Sequence, residues 1–339
     1  MIAKFKVAAL NVLQRNAGLR RQTRRARTVL LGLRYRMHAR AGIDPRLVVF
    51  ESFGGRSYAG SPRAIYAAML RDPRFAEFRF AWAFRGFERT ADDVDLDDAR
   101  TQIVQFGSAD YYRAFGRARV WITNSIVAPE LVPGQQLYVQ TWHGTGIKRI
   151  GLDVPDGTAA AMNGKAEIDE RYRIEAAKIS IFVSPAPFGT EVFSSAFGLP
   201  ATGPRSPFAE VGNPRNDALV LAGPAKVAAA RARFGIADGV RALLYAPTFR
   251  DDDYAARSGY GFRLPFDLDA LYAALAPTHV LLFRTHYLVS SGVDFGRYNG
   301  FVRDVSAVSE VNDVLLASDL LITDYSSVCF DYSLLDRPI

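Results

Sequence analysis

Tyr138-Val139-Gln140-Thr141-Trp142-His143-Gly144-Thr145-Gly146 reads as a short strand that stops in a polar, glycine-containing turn. The same grammar recurs downstream. Ala242-Leu243-Leu244-Tyr245 runs into Ala246-Pro247-Thr248. His279-Val280-Leu281-Leu282-Phe283-Arg284 runs into Thr285-His286, and Leu320-Leu321-Ile322-Thr323 into Asp324-Tyr325-Ser326-Ser327. Short apolar runs bounded by turn residues are the pattern of buried strands. Strands that alternate with helices imply an α/β fold with a parallel sheet and right-handed crossovers. In such sheets ligands bind outside the carboxyl ends of the strands. His143, Thr248, His286, Ser326 and Ser327 all fall there, and their coincidence says more than any one of them.

Upstream, Leu47-Val48-Val49-Phe50 reads as a strand leading into the Gly-rich turn Glu51-Ser52-Phe53-Gly54-Gly55-Arg56. A helix is expected from Ser61-Pro62 through Leu70, with Ser61 as N-cap and proline at the first position. Further strands are expected at Phe78 to Phe84, Ile103-Val104, Val120 to Ile122 and Ile179 to Val183, with Ser108 to Phe115 helical. The alternation restarts after a break near Pro200 to Pro207. The expected division is a basic helical arm over 1–44, a Rossmann-like domain over 45–205 and a second over 206–339.

The net charge of +7 is unevenly placed. Residues 1–43 hold eleven Lys or Arg and no Asp or Glu, leaving 31 basic and 35 acidic residues elsewhere, a balance of −4. The arm reads as helix over 2–40, with apolar residues at helical spacing around Arg20-Arg21-Gln22-Thr23-Arg24-Arg25-Ala26-Arg27. A basic amphipathic helix suits the headgroup layer of an anionic bilayer, at about 1 kcal/mol per basic residue near the surface. The bland alternative is a solvated charged helix leading into the domain. Nucleic acid is not the expected partner, because no aromatic stacking platform or recognised module accompanies the basic residues. There is no transmembrane run of about 18 apolar residues. The start of the chain is too short and too soon interrupted for a signal peptide. The single cysteine, Cys329, rules out an intramolecular disulfide framework and a cysteine-based zinc site.

The strand-end residues suggest chemistry on a phosphate. Hydroxyls and free N–H groups at a helix start, as at Ser326 and Ser327, favour an anion; the same residues also serve as simple N-caps. Arg215, in Gly212-Asn213-Pro214-Arg215-Asn216-Asp217, is either a surface arginine on a turn or a guanidinium that grips a phosphate in bidentate fashion. One imidazole can take a proton from an attacking hydroxyl, and another can donate to developing charge. Asp92-Asp93-Val94-Asp95-Leu96-Asp97-Asp98 and Asp251-Asp252-Asp253 read as solvated acidic loops rather than metal sites. Neither a metal nor a cofactor is expected.

Trp142-His143-Gly144-Thr145, Gly212 to Asp217, Tyr245-Ala246-Pro247-Thr248-Phe249-Arg250-Asp251, Arg284-Thr285-His286 and Leu321 to Ser327 with Asp331-Tyr332 occur in that order. Together they closely resemble the CDP-glycerol glycerophosphotransferase family of teichoic-acid polymerases and primases. The match spans about residues 138 to 339; residues 45–137 fit only in pattern. The resemblance implies a GT-B-like fold of two Rossmann-like domains, the first on the acceptor side and the second on the nucleotide-donor side, with the donor in the cleft between them. It implies transfer of glycerol phosphate or a related polyol phosphate from CDP-glycerol or CDP-ribitol to a hydroxyl of a lipid-linked acceptor, with release of CMP. Teichoic-acid-like or capsular polymer synthesis, at the cytoplasmic face of the cell membrane, is the implied setting. His143 takes the place of the general base and His286 that of the second essential histidine, at the pyrophosphate. Gly144, Thr145, Gly146, Ile147, Arg215, Pro247, Thr248, Arg284, Thr285, Ser326, Ser327 and Asp331 take the places of donor contacts.

Three departures stand out. Gly146 replaces a usual proline, which leaves the loop freer. Tyr287 stands where proline often follows the second histidine. Family members usually continue past Ile339, so the second domain is expected to be truncated and incomplete. Two competing readings share these motifs: a nucleotide-sugar glycosyltransferase on the same fold, and an inactive membrane-binding homologue.

Overall fold

The computed structural model describes residues 17–86, 93–156, 164–248, 254–255, 259–261, 264–284, 289–290, 295–298 and 300–339. The first half is a seven-stranded sheet of order β3-β2-β1-β4-β5-β6-β7, parallel throughout. Its strands are β1 (Asp44–Glu51), β2 (Arg79–Phe84), β3 (Thr101–Gln105), β4 (Ala118–Thr123), β5 (Leu137–Gln140), β6 (Ile181–Ser184) and β7 (Phe208–Glu210). Its helices are α1 (Ala17–Ala39), α2 (Gly60–Arg71), α3 (Ala109–Arg117), α4 (Lys165–Ala176) and α5 (Pro187–Phe197). After α6 (Asp217–Val220) and α7 (Pro224–Arg233) comes a second, four-stranded parallel sheet of order β13-β11-β8-β14. It comprises β8 (Arg241–Tyr245), β11 (His279–Phe283), β13 (Val302–Asp304) and β14 (Leu320–Ile322), with helices α8 (Leu268–Leu275), α9 (Val311–Ala317) and α10 (Val328–Tyr332). Three short strands, β9 (Tyr254–Ala255), β10 (Gly259–Gly261) and β12 (Val289–Ser290), make a small separate sheet that the sequence reading missed.

The near-continuous apolar runs form strands because both sheet faces are covered. Along β8 and β11, Ala242, Leu244, Val280 and Leu282 pack against Val314, Leu315, Leu316 and Tyr332, while Leu243, Tyr245, Leu281 and Phe283 pack against Leu268, Tyr298 and Phe301. The first sheet is more aromatic. Phe50, Tyr58, Tyr66, Phe80, Trp82 and Phe84 fill one face, and Tyr111, Phe115, Trp121 and Tyr138 the other.

Several details depart from expectation. β7 lies past residue 205 and pairs with β6, so the chain passes from one sheet to the other between Glu210 and Arg241. Ser61 is not the N-cap of α2. The helix starts at Gly60, and the N–H of Gly60 donates to Glu310, which arrives from the other half. A carboxylate about 250 positions away thus does what the local serine was expected to do. The acidic run is also partly folded in: Val94–Asp97 is a 3-10 turn, Asp93 is buried, and Asp98 pairs with Arg100 at 2.8 Å. Asp92 and Asp251-Asp252-Asp253 lie outside the described residues.

Residues 1–16 of the basic arm also lie outside the described residues. The rest of it is α1, and its C-terminal half docks on α3. Tyr35 is fully buried, with its hydroxyl on the Phe115 carbonyl and on Gln136, and its ring edge-on to Trp121 at 5.7 Å. On the opposite side Val29, Leu30, Leu33 and Met37 are each more than half exposed, and their spacing sets them within about 100° of the helix circumference.

Candidate active site

Each of the two larger sheets has one point where strand order reverses: between β1 and β4 in the first, and between β8 and β14 in the second. A crevice opens there at the carboxyl edge. His143 sits one strand from the first reversal, in the loop after β5. Its Nδ1 lies 2.6 Å from the carbonyl of Asn124, at the end of β4. A carbonyl only accepts, so neutral His143 carries its proton on Nδ1 and leaves Nε2 as the proton-accepting nitrogen. The ring is solvent-accessible from the cleft but ringed by protein on its other sides. That desolvation lowers its pKa below the usual 6.5, against the opposing Asn124 hydrogen bond and with help from the nearby charge of Arg215.

Two aromatic rings hold the imidazole: Trp142, stacked at 4.5 Å, and Phe53, tilted at 5.9 Å. Both have left-handed backbones, with φ of 48° and 50°. Among the described residues they are two of three non-glycine residues with positive φ, the third being Asp336. Such conformations cost on the order of 1–3 kcal/mol and persist where the surroundings over-determine them. Here the surroundings do. The Phe53 N–H donates to Asn124 Oδ1 at 2.7 Å, Gly54 N–H to Ser125 Oγ at 2.9 Å, and Asn124 Nδ2 to Ser52 Oγ at 3.1 Å. Trp142 N–H donates to Gln140 Oε1 at 2.9 Å, and its ring packs edge-on to Phe197 at 5.2 Å. Beneath lies a buried polar chain: Gln140 Nε2 donates to the Tyr138 hydroxyl at 2.8 Å, and that hydroxyl donates to Glu175 at 2.6 Å. Glu175 in turn pairs with Lys178 at 2.6 Å.

The rest of the loop meets the second half. A Cβ on Gly144 would come within 2.7 Å of Ser327 Oγ, and one on Gly146 within 2.6 Å of Val192 Cγ1 in α5. Gly146 therefore packs closely on a helix and leaves no room there for a side chain. Thr145 and Ile147 follow, with Ile147 N–H on the Thr145 carbonyl at 2.9 Å and Ile147 exposed. Lys148 Nζ lies 5.1 Å from the centre of the Tyr325 ring.

Arg215 and Asp331 come together as a pair. Arg215 Nε and Nη2 donate to Asp331 at 3.0–3.2 Å, Asn216 Nδ2 adds a bond at 2.9 Å, and both side chains are buried. The guanidinium fork that the sequence offered to a phosphate is filled by a carboxylate. Pro247 and Thr248 end β8, and the Thr248 N–H donates to Asp324 at 2.9 Å. Burial pushes the Asp324 carboxyl up, but the Thr248 hydroxyl and amide outweigh it and hold it below the usual range. Arg284 Nη1 donates to the carbonyls of Val305 and Val308 at 2.9 and 2.8 Å, and burial lowers its pKa. Ser326 Oγ faces the Val328 amide at 3.5 Å, and Ser327 makes no side-chain cap on α10, which is only five residues long. Thr285 and His286 lie outside the described residues.

A cavity of about 490 Å³ opens beside this loop, between Thr145 and Phe188 on one side and Asn213, Asn216, Asp331 and Leu334 on the other. The two halves thus leave room for a small ligand where they meet. Among the described residues no group of three His, Cys, Asp or Glu could hold a metal ion. The sequence reading passed over Asn124, Phe53 and Glu175. The signal that could have found Asn124 was its place just past a strand end beside the reversal.

Known proteins share this fold. A family model described as CDP-glycerol:poly(glycerophosphate) glycerophosphotransferase matches residues 33–339. The chain is 35% identical over 301 residues to the teichoic acid poly(glycerol phosphate) polymerase of Staphylococcus epidermidis, covering 87% of this chain and 40% of that protein. It is 33% identical over 299 residues to the teichoic acid glycerol-phosphate transferase of Staphylococcus aureus, covering 87% and 73%. The chain therefore spans about 40% of the length of the first of these relatives. Among solved structures, the wall teichoic acid polymerase TagF superposes with a TM-score of 0.77 at 31% identity, over 94% of this chain and 77% of that one. A histidine-to-asparagine variant of it soaked with CDPG gives 0.78 at the same identity and coverage. The architecture is GT-B-like, and the chain belongs to the CDP-glycerol:poly(glycerophosphate) glycerophosphotransferase family.

Proposed function

We propose that this protein transfers glycerol phosphate from CDP-glycerol to a hydroxyl of a lipid-linked acceptor in teichoic-acid-type polymer synthesis, and that His143 is the general base. The observation that carries the assignment is the 2.6 Å contact of Nδ1 with the Asn124 carbonyl, which leaves Nε2 to take a proton. The lowered pKa keeps the imidazole neutral, and so competent as a base, at neutral pH.

In the proposed step the acceptor oxygen attacks the phosphorus that bears glycerol. His143 removes the hydroxyl proton. The bond from that phosphorus to the bridging oxygen breaks, and CMP leaves with the electron pair. The nucleotide lies along the second sheet's edge, near Thr248, Ser326 and Ser327, with the acceptor along the first. Arg215 contributes positive charge beside the reacting phosphates, its orientation set by Asp331. His286, by family resemblance, stands at the pyrophosphate.

A peripheral seat on an anionic membrane, at its cytoplasmic face, accords with the exposed apolar stripe Val29, Leu30, Leu33 and Met37 next to the basic stretch of the arm. Among the described residues no helix is long and apolar enough to cross a membrane.

The test is CMP release from CDP-glycerol with a lipid acceptor analogue. His143→Ala is expected to lose about 10²- to 10⁴-fold in rate with donor affinity kept. Full activity in that variant would sink the base assignment, and equal turnover of a UDP-sugar would sink the donor class.

A further inference from the structure

One carboxylate of the second half reaches the residues around His143, and the proposed step leaves it unused. Glu310 stands just before α9 and caps it, its side chain accepting from the Asn312 N–H at 3.2 Å. The same side chain accepts the N–H of Gly60 at the start of α2 and pairs with Arg63 Nη1 at 3.5 Å, about one turn further along that helix. Arg63 lies over the Tyr58 ring, 4.8 Å from its centre. The side chains of Arg63 and Glu310 are only 22% and 15% exposed. Asn312 adds a second tie nearby, its Nδ2 donating to the Arg215 carbonyl at 2.7 Å.

Gly60 sits directly behind the residues that hold His143. Its φ is +71°, and a Cβ there would meet Asn124 Nδ2 at 3.3 Å and Phe53 Cε2 at 3.5 Å. Asn124 holds the imidazole through its carbonyl at 2.6 Å, and Phe53 through its ring at 5.9 Å. Ala59, the residue before Gly60, is tied to the same loop, its carbonyl accepting from Ser52 Oγ at 2.6 Å. In the second half, Arg284 grips the carbonyls of Val305 and Val308, in the segment that leads to Glu310. That segment therefore joins the second sheet's carboxyl edge to the packing around His143. Close-packed interiors transmit such a contact, because they compress little. Glutamate is not a favoured N-cap, whereas Ser, Thr, Asp and Asn are. Its extra methylene lets one carboxylate serve α9 and α2 together.

Resting on the transferase reading above, we infer that Glu310 is a positioning residue for His143: it holds Gly60 against Asn124 and Phe53 from the second half, and so keeps the imidazole walled in and aligned with the donor edge. The base on one sheet is thus set by a contact from the other. Besides Arg63, the charges of Asp313 and Arg284 act on Glu310, and that of Arg215 acts on His143.

The test is an NMR titration of the His143 imidazole in the full chain without substrate, its signal assigned by its loss in His143→Gln. The wild-type midpoint is expected below 6.5. Three substitutions separate reach from charge and from capping. Glu310→Asp keeps the charge and the α9 cap but falls short of Gly60. Glu310→Gln loses the charge and keeps the reach, and Glu310→Ala loses everything. Loosening Phe53 and Asn124 lets water onto the ring, so the midpoint should rise towards 6.5 in Glu310→Asp and Glu310→Ala. It should stay near the wild-type value in Glu310→Gln. The same two variants should lose about 10- to 100-fold in kcat for CMP release, with the KM for CDP-glycerol kept, and Glu310→Gln should recover most of that rate. Should Glu310→Ala fail to fold, Glu310→Asp and Glu310→Gln carry the comparison. A Glu310→Asp protein that titrates and turns over as the wild type does makes Glu310 a cap of α9 alone and overturns the inference. A Glu310→Gln protein shifted as far as Glu310→Asp overturns it too. A His143 midpoint that follows side-chain reach, in a chain that releases no CMP, breaks the transferase reading and leaves the positioning role standing.

Discussion

The two carboxyl edges of this molecule handle their polar groups in opposite ways. At the second sheet's edge Arg215, the Thr248 amide, Arg284 and Asp331 are each engaged. Asp331 fills the fork of Arg215, Asp324 takes the Thr248 amide, and Val305 and Val308 take Arg284. At the first sheet's edge two aromatic residues, Phe53 and Trp142, carry strained backbone. His143 has one nitrogen engaged and the other left to act. Under the proposed function, the contrast separates a preorganised cradle from a reactive face. A nucleotide needs a fixed shape to bind against, whereas proton transfer needs one group held in place with a free lone pair.

Removing one partner at each edge sharpens that contrast. At the second edge, Asp331→Ala leaves Arg215 buried and unpaired and should cost about 3–5 kcal/mol of stability by chemical denaturation. Replacing both residues by apolar side chains of similar volume should recover most of it. At the first edge, Asn124→Ala frees the Phe53 amide and should cost less, about 1–3 kcal/mol. Its larger effect should fall on CMP release, through a loosened Phe53 ring beside His143, since the Asn124 carbonyl that holds the imidazole remains. A stability loss at Asn124 larger than at Asp331 would erase the distinction.

The third prediction concerns Glu51, which ends β1 beneath the strained loop. Burial raises its pKa to about 7, against the opposing hydrogen bond from the Tyr111 hydroxyl and the charges of Arg85 and Arg56. Above about 4.5 the unfolded chain gives up this proton while the folded chain keeps it until about 7. The folded state therefore binds more protons, and this group's contribution to stability falls as pH rises across that window. Glu51→Gln should remove a slope worth on the order of 2–3 kcal/mol between pH 5 and pH 8. An unchanged slope in the variant would mean that Glu51 does not titrate there. The smallest expected effect is on the rate profile. Activity should fall on the acid side as His143 protonates, with its midpoint below 6.5. An acid limb at or above 6.5 would contradict the desolvated setting of the ring.

The strands could be read from the chain because a strand covered on both faces needs an apolar run, and such runs are local. So could the polar residues just past them. Pairing could not. Arg215 and Asp331 stand 116 positions apart, and nothing in either neighbourhood names the other. The Ser61 cap failed for the same reason, since Glu310 reaches α2 only after the two halves meet. Phe53 and Trp142 hid their role because a positive φ on an aromatic residue goes against local preference, and only the assembled hydrogen bonds of Asn124 and Gln140 impose it. The Phe53-to-Arg56 turn was visible as glycine-rich, but that Arg56 and Arg85 would take its carbonyls was not.

The closeness of Gly144 to Ser327 has a consequence for substitution. Position 144 belongs to one half of the molecule and position 327 to the other, yet a side chain at 144 must first turn the Ser327 hydroxyl aside. The two sites share one small volume, so a change of size at one is felt at the other across the 183 positions that separate them.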